Sequence, residues 1–186
     1  DGSGAGGEGG GANKPALKPV AHSKRMGLRA WQGLLHALQA MKRALRVRFE
    51  VATLENLQHV LQSLEQPILH FLPARGYQHS ATAGGHALTL EGFAGELKPL
   101  PLAQLRELLS RSHTRRPSLV FLSPQGSDAV GRVFVQAGVP AVVALRGFLP
   151  EAQVSAFAHA FYRALLRDGA TPRAAFAAAD EATRGE

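Results

Sequence analysis

Residues 118–145 read SLVFLSPQGSDAVGRVFVQAGVPAVVAL, and their pattern decides the fold. Ser118 to Ser123 is a short, charge-free apolar run, as in a strand buried on both faces. Pro124 and Gly126 end it. Val130 to Ala137 can be helical up to Gly138, a natural stop, and Ala141 to Leu145 is a second buried strand. A strand, a helix and a strand on short links make the unit of a parallel sheet, because parallel neighbours require a crossover.

The same alternation extends outward. Upstream, Ile68 to Leu72 is another short apolar run after the helix-stopping Pro67. The preceding helix starts at Thr53, a capping residue, and carries Leu54, Leu57, Leu61 and Leu64. Val47, Phe49 and Val51 alternate with Arg46, Arg48 and Glu50, which predicts a strand with one wet face. Before it, Leu28, Trp31, Leu35, Leu38 and Leu45 follow helical spacing, for a leading amphipathic helix ending near Ala44. Pro73 to Gly85 reads as a loop, Ala87 to Glu91 as a strand, and Leu102, Leu105, Leu108 and Leu109 as a helix. Downstream, Pro150 opens a long helix with Val154, Phe157, Phe161 and Leu165 on one face, and Thr171-Pro172 starts a final Ala-rich helix. The expectation is an α/β domain over 26–186, its mostly parallel sheet covered by helices on both faces. Ligands and catalysis in such sheets gather at the carboxyl ends of strands, which points to the loops after Leu72 and Ser123. Residues 1–25, rich in Gly, Pro and Lys, read as a tail or linker. Because the first residue is Asp1, a processed product or a piece of a longer chain is expected.

Composition removes whole classes of chemistry. Among 186 residues there is no cysteine, which excludes disulfides, Cys-ligated metals and a thiol nucleophile. The eight histidines are scattered, and no two of them stand at i, i+4 beside a carboxylate as a zinc helix needs. Gly84-Gly85 and the Gly92/Gly95 pair lack a following Lys-Ser/Thr, so they read as loop glycines and no phosphate loop. Neither metal nor cofactor is expected. No apolar stretch approaches the roughly 18 residues of a membrane span, so a soluble chain is expected.

Several segments together resemble a family. PILHFLPARG (67–76), ALTLEG (87–92), SLVFLSPQGS (118–127), FVQAGVPAVVAL (134–145) and AFAHAFYRALLRDGATPRAAFAAA (156–179) are similar, in that order, to the CHAT domain. The resemblance spans about 46–184 and implies a three-layer, caspase-like sandwich. Active members use a His shortly after a His-Phe pair and a Cys at the end of a later strand motif, a thiolate activated by an imidazole. Laid on this sequence, the resemblance places Ala74 at the His position and Gln125 at the Cys position. Ala74 accepts no proton and Gln125 has no nucleophilic atom, so what is implied is the fold without the activity. A serine substitute is a competing expectation, with Ser123 or Ser127 as nucleophile and His79 or His86 as base. Against it, Ser127 beside Asp128 reads as a helix cap, and His70, inside a strand, reads as a packed or hydrogen-bonded core histidine.

The net charge of +7 is local. Residues 1–25 carry +2, 26–50 carry +4, 51–110 carry −2, 111–116 carry +3, and 117–186 are neutral. Lys42, Arg43, Arg46, Arg48, Arg111, Arg115 and Arg116 are therefore the interaction candidates: a solvated face, or a docking surface for an acidic protein partner. Nucleic acid is the lesser alternative, since only Trp31 and Phe49 lie near the charge for stacking. The expected function is a catalytically inactive caspase-like module, structural or protein-binding, within a larger assembly.

Overall fold

The computed structural model describes residues 34–35, 38–39, 45–63, 66–72, 87–111, 113, 115–147 and 149–184. In chain order the elements are α1 (Leu54–Ser63), β1 (Ile68–Phe71), β2 (Ala87–Glu91), β3 (Leu97–Pro101), α2 (Leu102–Ser110), β4 (Leu119–Leu122), α3 (Asp128–Gln136) and β5 (Val142–Ala144), followed by α4 (Glu151–Tyr162), its π-helical continuation (Arg163–Arg167) and α5 (Pro172–Thr183). Local chemistry sets several boundaries. Thr53 Oγ1 accepts from Asn56 N at 3.1 Å to cap α1, and Thr171 Oγ1 accepts from Ala174 N at 3.3 Å to cap α5, whose first residue is Pro172. Gly138, at φ +88°, turns the chain out of α3, while Val139 N returns to the Phe134 carbonyl at 3.1 Å.

β1, β4 and β5 form a parallel sheet with β4 in the centre. All four residues of β4 are buried, and they alternate between two cores. Val120 and Leu122 enter one core with Leu57 and Leu61 of α1, Leu105 and Leu108 of α2, Val133 and Phe134 of α3, and leucines of β2 and β3. Leu119 and Phe121 enter the other with Val143, Phe161 and Tyr162 of α4, and Ala175 and Ala179 of α5. Helices thus cover both faces of the sheet, the expected α/β sandwich. The tail 1–25 and most of the leading helix lie outside the described residues. Leu34 and Leu38, both helical, pack against the second core.

Two expectations are corrected. Residues 45–53 are irregular, with no strand over Arg46 to Val51, and Val47, Phe49 and Val51 are 43%, 54% and 54% exposed. Leu45 is likewise exposed and outside any helix. Alternation states which face a strand would bury, but a strand also needs a ladder of bonds to a neighbour, and among the described residues this segment makes none to the outer edge of β1. Conversely, Ala87–Glu91 pairs antiparallel with LKPLP, a segment whose two prolines argue against a strand. The register explains the tolerance. Gly92 N donates to Glu96 O at 2.7 Å, so the hydrogen-bonded pairs are Leu90 with Lys98 and Leu88 with Leu100. Leu97, Pro99 and Pro101 therefore turn their nitrogens away from β2, where no donor is needed.

Candidate functional site

The parallel register of β1 and β4 builds the site at their carboxyl ends. His70 pairs with Phe121 and Phe71 with Leu122, and Ser123 N extends the ladder by donating to Phe71 O at 3.0 Å. Partners in adjacent parallel strands share a sheet face, and so do residues two apart in one strand. His70, Phe121 and Ser123 are therefore on one face by construction. His70 Nε2 lies 2.7 Å from Ser123 Oγ, a hydrogen bond whose direction follows the imidazole tautomer. The imidazole packs on Phe121, ring centroids 4.6 Å apart, and stacks on Tyr162 at 5.6 Å. This apolar enclosure pushes the His70 pKa down to about 4 by desolvation, leaving a neutral imidazole at pH 7. The same burial pushes the Tyr162 phenol up. His70 Nδ1 and Tyr162 Oη find no hydrogen-bond partner among the described residues.

The loop after β4 is anchored at two points. Gln125 Nε2 donates to Leu149 O at 2.8 Å, just ahead of α4, while its Oε1 is buried without a partner among the described residues. Ser127 Oγ donates to Leu122 O at 3.3 Å and accepts from Leu145 N at 3.1 Å, joining the ends of β4 and β5. The expected cap at Ser127 is thus corrected: its side chain makes no capping bond to α3 and is occupied by the strand ends. Between these anchors Gly126 sits at φ +66°, a left-handed position suited to glycine.

The serine that meets a histidine is Ser123, and the histidine is His70. Ala74, His79 and His86 lie outside the described residues, as do Lys42 and Arg43. A neutral imidazole beside a hydroxyl is the minimal geometry for general-base activation of an oxygen nucleophile. Here Ser123 is 4% exposed and Nδ1 has no acceptor among the described residues in the orienting role of a third member. The sequence contains no direct signal for the pair, because the offset between two parallel strands is not written in either of them. Of the basic candidates, Arg46 is exposed, Arg48 pairs with Glu50 at 2.7 Å and Arg111 with Glu107 at 3.4 Å. Arg115 N donates to Leu61 O at 2.6 Å, and the Arg116 guanidinium lies against Gly138. No helix among the described residues is long and apolar enough to cross a membrane.

A family model, the CHAT domain, matches residues 27–185. The chain belongs to the CHAT domain family. This CHAT domain thus has the caspase-like α/β architecture implied by its motifs, with β1 and β4 bringing His70 and Ser123 together. No match was found among curated proteins or among solved structures.

Proposed function

We propose that this CHAT domain is catalytically inactive and serves as a structural or protein-interaction module in a larger assembly. The observation that carries the reading is Gln125. At the position where the resemblance puts the family's cysteine stands an amide, and its Nε2 is engaged with the Leu149 carbonyl at 2.8 Å, tying one loop to the next helix. A carboxamide there holds structure and offers no nucleophile. The absence of cysteine anywhere in the chain supports the same conclusion.

A second reading, a hydrolase with a substituted serine, is favoured by one observation, the 2.7 Å contact of Ser123 with His70. The low exposure of Ser123, and the lack of an orienting group for His70 among the described residues, weigh against it. Incubation of the full chain with a fluorophosphonate probe separates the two. We expect no labelling above that of the heat-denatured protein. Labelling that disappears in both Ser123→Ala and His70→Gln would overturn the inactive reading. Nucleic-acid binding gains less support, since Arg48 and Arg111 already face carboxylates of their own chain.

A further inference from the structure

The parallel sheet ends at β5 without a further neighbour among the described residues. In a parallel ladder the residues of a strand alternate, one turning its amide and carbonyl toward the partner and the next turning both away. Val120 N donates to Ala141 O at 3.0 Å, in a register that pairs Val120 with Val142. Ala141 and Val143 therefore face β4, and so does the Leu145 amide, which reaches the Leu122 carbonyl through Ser127 Oγ. Val142 and Ala144 point the other way. Each offers an N–H and a C=O that nothing among the described residues bonds. No proline or charge interrupts the run from Ala141 to Leu145, so this edge is a template for one more strand.

The ground beside the edge suits the side chains of such a strand. An open depression there is lined by Val142, Ala144 and Arg146 together with Gly131, Arg132 and Val135 of α3. At Gly131 the helix lies against β5 too closely to admit even a methyl, so a ligand has to lie along the outside of the strand. Val130, Val133 and Phe134 turn inward to the core, which leaves Arg132 and Val135 on the exposed flank of α3, Val135 at 56% exposure. Arg132 is held by Asp128 at 2.7 Å. Arg146 is exposed and makes no ion pair among the described residues, so it is the positive charge left over at this edge.

We propose, resting on the interaction-module reading, that the outer edge of β5 is the docking surface and that an extended, acidic segment of a partner protein adds there as the next strand. Main-chain bonds to Val142 and Ala144 hold the segment, alternate side chains rest against Val135, and a carboxylate meets Arg146. A basic segment would set a second positive charge against Arg146 with no carboxylate to spare, because Asp128 is already engaged.

A random dodecapeptide library displayed on phage and selected on the immobilised full chain supplies the probes, and the enriched peptides are then synthesised and titrated by fluorescence anisotropy. They should alternate apolar with polar residues and carry Asp or Glu. In amide NMR spectra of the chain, Val142 and Ala144 should exchange freely before peptide is added and gain protection after it. Ala144→Pro removes an outward amide and no bond to β4, so the urea midpoint should hold while affinity falls at least about tenfold. Arg146→Glu should weaken binding several-fold. Should Ala144→Pro lower the urea midpoint, amide protection and Arg146→Glu decide alone. No enrichment, basic peptides, or binding indifferent to both variants would each overturn the proposal. Self-association of the chain that Ala144→Pro abolishes would give the edge to a second copy and overturn it as well. Peptides that bind elsewhere on the chain sink this surface and leave the interaction reading standing, whereas that reading fails separately, through fluorophosphonate labelling that Ser123→Ala abolishes.

Discussion

His70 is an imidazole kept neutral by its surroundings, and this has a thermodynamic signature. Its folded pKa, about 4, lies below the ordinary histidine value, so the unfolded chain binds a proton that the native chain refuses across the interval between them. Stability contributed by this site is full above the unfolded pKa and declines as pH falls from about 6.5 to about 4, by at most ~3 kcal/mol. His70→Gln retains a hydrogen-bonding partner for Ser123 without that titration. Urea unfolding at successive pH values should therefore show a shallower acid-side slope in the variant. An identical slope, or an imidazole proton resonance that titrates near 6.5 in the native protein, would show that His70 is not desolvated.

Between elements, contact is decided by what is missing from a side chain. Gly131 is buried in α3 where the helix crosses β5, and a Cβ there would stand 2.9 Å from the Ala144 Cβ and 3.4 Å from Val142 Cγ1. Helix and strand can come this close only because one side contributes no carbon. Gly131→Ala improves helix propensity by roughly 1 kcal/mol, yet the steric conflict should reverse the sign and cost about 1–3 kcal/mol overall. Denaturant titration reads the difference directly, and a stabilised variant would mean that α3 can lift off the sheet at no cost. Elements were legible in the sequence to the extent that their cause was local. β4, the Thr53 and Thr171 caps and the Gly138 stop follow from residues within a turn of each other. The strand at LKPLP was not legible, since its prolines are tolerated only in a register set by the Gly92–Glu96 bond across the turn. Nor was the loss of the strand at 46–51, because whether a segment bonds to an edge is a property of the whole sheet and not of its own alternation. The candidate site shows the same division. His70 as a hydrogen-bonded core residue was readable, whereas its partner Ser123, 53 residues away, depends on the parallel register.

At the scale of the molecule, β4 is the wall shared by two cores. Phe121 contacts Phe157, Phe161 and Tyr162 on one side, and Leu122 lies in the opposite cluster with Val133 and Phe134. Neither core can melt and leave the other walled. Phe121→Ala should cost about 3–5 kcal/mol and Leu122→Ala about 2–5 kcal/mol, each lowering one common transition seen alike by far-UV and near-UV circular dichroism. Two separated transitions in either variant would show that the layers are independent. The hairpin has a different bearing on the whole. With Pro99 and Pro101 turned outward, the free side of β3 offers Leu97 as its one backbone donor, so it is a poor template for another strand. Crowded copies of this protein are thereby steered away from cross-β stacking at the hairpin that carries Phe93, the most exposed aromatic ring among the described residues, and that protection is written into a pair of prolines.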